Sequence, residues 1–385
     1  MRRVKLGMVG GGQGAFIGAV HRIAARIDDR YQLIAGALSS DPERAAASAA
    51  ELGIATDRSY HSFEEMAKAE AARPDGIDAV SIVTPNHLHA DAAVAFLDAG
   101  IHVICDKPLS ISRAEGLRIK QCLQKSSAQF FLTHNYTGYP LIREARDMIA
   151  NGKLGNIRVI QAEYAQDWLA EPLETTGQKQ ASWRTDPKAT GGCGAIGDIG
   201  THAYNLVHYV TGLEAQELAS DLTSYVPGRT VDDNAHIWLR YEGGAKGQLW
   251  ISQVAVGNEN ALRLRIYGDK GGLEWEQENP NILWFTPLGG LRQRLTRGSG
   301  VLSEAAAAAT RIPAGHPEGY LEAFATLYSD VADVLIDGRS AHHLPNIMDG
   351  LDGMWFIEAC IASSKNNGSW CDRNLGQEVV GAPSD

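Results

Sequence analysis

The sequence predicts an α/β protein of two domains, a doubly wound parallel sheet followed by an α+β domain on a mostly antiparallel sheet. Three observations carry this. Strand and helix signals alternate through the first third of the chain, the pattern of parallel strands joined by helical crossovers. A run of glycines follows the first strand. Beyond residue 215 strand signals follow one another without an intervening helix, which favours antiparallel or mixed pairing. A chain of 385 residues exceeds what one small core organises. The texture changes around Asn135, so the domains are read as 1–134 and 135–385.

Residues 4–9 form a short apolar run ending in glycines. Residues 19–27 place Val20, Ile23, Ala24 and Ile27 on one helical face. Residues 32–38 read as a second strand. Asp41-Pro42-Glu43 then opens a helix, with Asp41 as N-cap and Pro42 at the first helical position. Residues 79–83, 103–105 and 130–133 read as buried strands, and 88–99 and 113–125 as helices. In the second domain 141–150 is helical, 157–165 is a strand and 171–194 reads as a loop rich in Gly, Thr and Gln. A helix over 198–210 precedes strands at 217–226, 235–241, 246–255, 262–267, 272–276 and 282–285. Helices over 320–336 and 347–364 follow, and the alanine run 305–309 reads as helical or mobile.

Composition narrows the functions. Apolar residues make up 44% and charged residues 21%, and the net charge is −11. A phosphate-backbone binder needs a basic face, so nucleic acid is not expected as a partner. No apolar stretch approaches the ~20 residues of a membrane helix. The N-terminus lacks a signal-peptide pattern. Five scattered cysteines without CxxC spacing fit reduced thiols in a cytoplasm.

Gly10-x-Gly12, with Gln13 next, follows a strand and precedes a helix, the context of a dinucleotide-binding turn. One glycine permits the turn, the other lets backbone approach a pyrophosphate, and the helix N-terminus supplies N–H groups. Either Ala15 or Gly18 fills the third position. An acid ending the second strand would bind the ribose hydroxyls of NAD. Here Ser39-Ser40 stands there, and Asp41 reads as a cap. The expected cofactor is NAD, with NADP not excluded. Thr84-Pro85-Asn86-His87-Leu88-His89 ends the next strand, where a ligand crevice belongs. Asn86 either shapes the crevice floor or caps the following helix. His87 and His89 read as structural.

Asp106-Lys107-Pro108 ends another strand. Lys107 is either solvated or placed to bind a substrate hydroxyl and a developing alkoxide. Asp198 and His202 are four apart on the expected helix and share a face. The pair is either a helix-surface pair or an oriented general base. Neighbouring Gly194, Gly197 and Gly200 favour a place where something packs against backbone. One histidine and one carboxylate do not complete a catalytic zinc site, so no metal is expected. Asn135-Tyr136 and Trp183-Arg184 combine amide, aromatic and guanidinium groups that suit a sugar, with simple core packing as the other reading of Trp183. His316-Pro317-Glu318-Gly319-Tyr320 reaches a pocket or caps a helix.

Together these motifs resemble the glucose–fructose oxidoreductase/inositol dehydrogenase/rhizopine-catabolism (Gfo/Idh/MocA) family over essentially the whole chain. The carriers are Gly10-Gly11-Gly12, Thr84 through His89, Asp106-Lys107-Pro108 with Asp for the family's Glu, and Asp198-x-x-x-His202. The resemblance implies a Rossmann domain and a C-terminal domain with a large open sheet that forms a homodimer or homotetramer. It implies Lys107, Asp198 and His202 as the catalytic group, with His202 the base, Lys107 on the reacting hydroxyl and Asp198 orienting. The cofactor contacts implied are Gly10, Gly12, Gln13, Ala15, Ser39, Ser40, Thr84, Pro85, Asn86, His89, Asp106 and Lys107. The substrate contacts implied are Lys107, Asn135, Tyr136, Trp183, Arg184, Asp198, His202 and Asn205. Two departures stand out: a glycine turn about three residues longer than the common pattern, and Asn205 where the family often has Asp. The expected activity is oxidation of a secondary hydroxyl of a cyclic polyol, sugar or glycoside. The alternatives are a redox-neutral NAD-dependent glycosidase and a nucleotide-binding sensor.

Overall fold

A computed structural model describes residues 2–373. The chain forms two compact units, Met1–Tyr139 with Gly319–Leu351, and Pro140–Glu318 with Asp352–Asp385.

The first unit runs β1 (Val4–Gly10), α1 (Phe16–Ile27), β2 (Tyr31–Ala37), α2 (Pro42–Glu51), α3 (Phe63–Ala72), β3 (Ala79–Val83), α4 (His89–Asp98), β4 (His102–Cys105), α5 (Arg113–Leu123) and β5 (Phe130–Leu132). The sheet order is β2-β1-β3-β4-β5, and all its pairings are parallel. The order reverses between β1 and β3, where Gly10 pairs with Val83. Ligands of open α/β sheets bind outside the carboxyl ends at such a switch point. Asp41 caps α2 through Arg44 N at 2.9 Å, with Pro42 in the first turn. Asn86 does not cap α4: it opens its own short turn, Asn86–Leu88, and Leu88 precedes α4 without a side-chain cap.

The second unit runs α6 (Pro140–Ala150), β6 (Ile157–Ala165), α7 (Lys179–Arg184), α8 (Pro187–Thr190), α9 (Thr201–Thr211), β7 (Ala215–Thr223), β8 (Asn234–Tyr241), β9 (Lys246–Ser252), β10 (Ala261–Gly268), β11 (Gly271–Glu276), β12 (Ile282–Pro287), β13 (Gln293–Thr296) and α10 (Glu304–Ala308). α11 (Tyr320–Asp337) returns to the first unit, α12 (Ile347–Lys365) begins there and continues in the second, and β14 (Cys371–Asp372) lies in the second. Among the described residues the sheet has nine strands in the order β13-β12-β11-β10-β6-β9-β8-β7-β14. Only β6 and β9 pair in parallel; the other pairs are antiparallel.

Two sequence expectations are corrected here. The segment 171–194 is not a plain loop, because it holds α7 and α8. The helix expected over 198–210 is a π turn, Ile196–Gly200, that runs into α9.

α11 belongs to the first unit. Phe324, Leu327 and Val331 pack with Val20 and Ala24 of α1 over Leu6 and Ala79 of the sheet. Burial of each such side chain stabilises by roughly 1.5–3 kcal/mol. In the second unit Tyr204 of α9 stacks on Phe356 of α12 at 4.5 Å. Along β8 burial alternates, with Ile237 and Leu239 inward and His236 and Trp238 exposed, as one covered sheet face requires.

Candidate active site

The glycine turn is the first component. Gly10 and Gly11 have φ of +77° and +73°, a region open to glycine at little cost. A Cβ on Gly18 would lie 2.3 Å from Gly11 Cα. Gly18 is therefore the third glycine of the motif, the one that lets α1 approach β1. Ala15 is the residue before α1 and its side chain caps nothing. A Cβ on Gly12 would lie 2.7 Å from the Leu38 carbonyl and 2.8 Å from Ser48 Oγ. The N–H groups of Gly12, Gln13 and Ala15 donate to Leu38 O, Ser48 Oγ and Gly12 O. The Gln13 side chain donates to Glu51 Oε2 at 3.1 Å, so it points to α2. The first turn of α1 carries no acid, as an anion site at a helix N-terminus requires.

Ser39 Oγ accepts from Asp41 N at 3.1 Å, while Ser40 is exposed. Thr84 follows β3 beside Gly10, and among the described residues its buried hydroxyl has no hydrogen-bond partner. A buried orphan hydroxyl next to a glycine turn, at the switch point of a parallel sheet, fits a dinucleotide phosphate or ribose. Asn86 is buried and Pro85 exposed. His89 lies between two backbone carbonyls, Pro108 O at 2.8 Å and Thr84 O at 3.0 Å. It ties the loops after β3 and β4 together. Burial lowers its pKa, opposed by Asp106.

Asp106 and Lys107 follow β4. Asp106 Oδ1 accepts from Lys107 N at 3.0 Å and from Thr133 Oγ1 at 2.9 Å, and His21 Nε2 lies 3.9 Å away. Burial pushes the Asp106 carboxyl up, but His21 and then Lys107 pull it down further, to about 2. Behind it His21 Nδ1 meets Tyr328 Oη at 2.9 Å, and Ser81 Oγ joins both. Sequence reasoning did not name this buried cluster. Burial and the Lys107 charge lower His134 to about 3, so a neutral imidazole and an ionised carboxylate flank the lysine. Asn135 and Tyr136 are buried beyond β5. Tyr136 stacks on Tyr139, and the Asn135 Nδ2 has no partner among the described residues.

The second unit carries the other candidates. Asp198 projects from the π turn, and its Oδ2 accepts from Arg184 Nε at 3.2 Å and from Gln253 Nε2 at 2.9 Å. The Arg184 guanidinium lies over the Trp183 ring at 4.3 Å. Arg184 thus reaches the site region by gripping Asp198, while Trp183 stacks under the guanidinium and its Nε1 donates to Gln180 Oε1 at 3.3 Å. His202 is buried on α9, its ring 6.3 Å from that of Tyr164. Asn205 is also buried, and its Oδ1 has no partner among the described residues. The glycines of this stretch are needed for the protein's own packing. A Cβ on Gly194 would lie 2.0 Å from Asp232 O, and one on Gly197 2.4 Å from Cys193 Sγ. The Asp232 carboxylate accepts from Gly194 N at 2.6 Å and Ile196 N at 2.8 Å, capping the π turn.

Sequence reasoning missed Gln253, Asp232 and Arg229. Arg229 is buried and joins Asp233, Glu174 and the carbonyls of Leu169 and Glu171, which fixes the start of the segment leading to α7. The 316–320 cluster divides in two. Glu318 Oε1 accepts from Arg297 Nη1, Arg311 N and Ile312 N. Gly319 N donates to Glu322 at the start of α11. Among the described residues no group of three or more His, Cys, Asp and Glu can hold a metal.

A family model described as an oxidoreductase family with an NAD-binding Rossmann fold matches residues 4–134, and the GFO/IDH/MocA C-terminal domain model matches 142–274. The crystal structure of an oxidoreductase from Sinorhizobium meliloti is 52% identical, with TM-score 0.89 over 97% of this chain and 100% of its own. An inositol dehydrogenase homolog from Azotobacter vinelandii, solved with NAD+, is 36% identical, with TM-score 0.92 over 96% and 97%. Levoglucosan dehydrogenase of Pseudarthrobacter phenanthrenivorans is 29% identical over 74% of this chain and 76% of that protein. With both domains matched and close relatives aligned nearly end to end, the chain is an NAD-binding oxidoreductase of the Gfo/Idh/MocA family.

Proposed function

We propose that this enzyme oxidises a secondary hydroxyl of a cyclic polyol, sugar or glycoside with NAD, using Lys107, Asp198 and His202. The observation that carries the proposal is Asp198, held at one oxygen by both Arg184 and Gln253 one helical turn before a buried histidine. Two hydrogen bonds fix a carboxylate so that it orients a neighbouring base rather than capturing solvent. Bound NAD supplies a hydride acceptor at its nicotinamide ring. His202 takes the hydroxyl proton as the carbinol C–H bond breaks with its electron pair leaving as hydride, and the C–O bond becomes a carbonyl. The Lys107 ammonium stabilises the developing alkoxide; Asp106 and Thr133 anchor its backbone. Asn135 and Asn205, each with a buried amide atom to spare, supply a donor and an acceptor for ring hydroxyls. The relatives named for inositol and levoglucosan support a ring-shaped polyol. Ser39, which is neither acidic nor basic, supports NAD over NADP weakly. Exposed Val159 and Trp238 on one face of the large sheet support a homodimer or homotetramer through that face.

The test is NADH formation, followed by absorbance, against a panel of inositols, monosaccharides and glycosides, with NAD and NADP run separately. Net turnover with one cyclic polyol is expected. Product without net NADH would replace the dehydrogenase with a redox-neutral glycosidase. A His202→Ala turnover within about threefold of the parent would overturn the base assignment.

A further inference from the structure

The glycine turn is braced by residues outside the motif. The peptide joining Gly11 and Gly12 is held at both ends: its carbonyl accepts from Arg22 Nη1 at 2.5 Å, and its N–H donates to Leu38 O at 3.1 Å. The next peptide is held at both ends as well. Its carbonyl, Gly12 O, accepts from Ala15 N at 3.1 Å, and its N–H, from Gln13, donates to Ser48 Oγ at 3.0 Å. Ser48 in turn donates to Arg44 O at 2.7 Å, so the one hydroxyl is used fully and its direction is set. Four glycines fall between residues 10 and 14. Without these bonds such a stretch samples many conformations. Beside it lies a cavity of about 340 Å³ lined by the turn, α1 and α2, including Arg22, Ser48 and Glu51. The space gives the turn somewhere to fall if its braces go.

We propose that Arg22 and Ser48 are positioning residues for NAD. They touch the turn, not the cofactor, and keep two peptide planes in the orientation that leaves the first turn of α1 open to the pyrophosphate. Arg22 supports this by its place: burial lowers its pKa, with Arg26 adding to the fall and Glu51 opposing it, yet the guanidinium stays beside the turn, on the Gly11 carbonyl and against Met8 Sδ. The gain is preorganisation.

The test is NADH affinity, by fluorescence titration of the full-length protein, with the melting temperature of the cofactor-free form measured alongside. Ser48→Ala and Arg22→Met are each expected to weaken NADH binding about tenfold while the cofactor-free protein melts within about 3 °C of the parent. Arg22→Lys, which keeps a cation in reach of Gly11, is expected to restore affinity to within about threefold. Affinity within twofold of the parent in Ser48→Ala overturns the proposal, and so does a loss of affinity matched by a large loss of cofactor-free stability. Should Arg22→Met not fold, Ser48→Ala and Arg22→Lys still decide it. Because NADH binding needs no substrate, the outcome is separate from that of the Lys107 and His202 assignment.

Discussion

The glycine turn and the segment that carries Asp198 are held in different ways. In the turn most of the contacts run from backbone to backbone, Gly12 N–H to Leu38 O, Ala15 N–H to Gly12 O and Gly18 against Gly11 Cα, and two side chains, Arg22 and Ser48, brace it. In the segment, side chains do the holding. Arg184 and Gln253 grip Asp198, Asp232 caps its π turn, and Arg229 ties Leu169 and Glu171 to Asp233. A site built mostly from backbone tolerates almost no added atom and depends on only a few side chains. A site built from side chains reverses this. Shape is fragile in the first, chemistry in the second.

The sharpest break of that contrast is Gly18→Val. Its Cβ has no space against Gly11, so NADH binding, measured by titration, is expected to be lost, while Asn205→Ala leaves NADH affinity within about threefold. Next is His202→Gln, which keeps volume but not basicity. A fall in kcat of roughly 10²–10⁴-fold is expected with NADH affinity unchanged. Asp106→Asn comes third and tests charge within the first unit. Its carboxyl is depressed to about 2, so the ionised form stabilises the folded state above the unfolded value near 4, and that contribution vanishes as pH falls through 2. At about 1.4 kcal/mol per pKa unit this is roughly 2 kcal/mol at pH 7. Urea midpoints of parent and variant are expected to differ at pH 7 and converge as pH is taken from 4 towards 2. The smallest effect is Gln253→Leu, which removes one of two bonds to Asp198. A tenfold loss in kcat, about 1.4 kcal/mol, is expected, with the same variant leaving NADH affinity untouched.

The contrast also explains what was legible in the sequence. The turn, the strand ends and the order of motifs were readable because glycine and proline leave marks at fixed offsets. Even so, Gly18 rather than Ala15 filled the third place, since only packing of α1 on β1 decides which residue must lack a Cβ. The link from Asp198 to Arg184 and Gln253 was invisible: its members lie 14 and 55 residues apart, with no period to betray them. The π turn was also hidden, because its apolar spacing passes for an α-helix. α8 was missed although its signal was present. Asp186-Pro187, closed by Gly191 with φ of +74°, repeats the Asp41-Pro42 start that was read correctly for α2.

The return of residues 319–351 to the first unit sets an order on synthesis. α11 covers α1, and its Tyr328 completes the buried cluster of His21 and Ser81. When a ribosome has released the first 139 residues, the parallel sheet lacks that cover, and Val20, Ala24 and two buried polar side chains face water. The nucleotide-binding half therefore finishes folding only after some 180 further residues have been translated. Its first-made strands wait longest, and a chain cut short before α11 leaves the proteostasis machinery an unsealed Rossmann sheet.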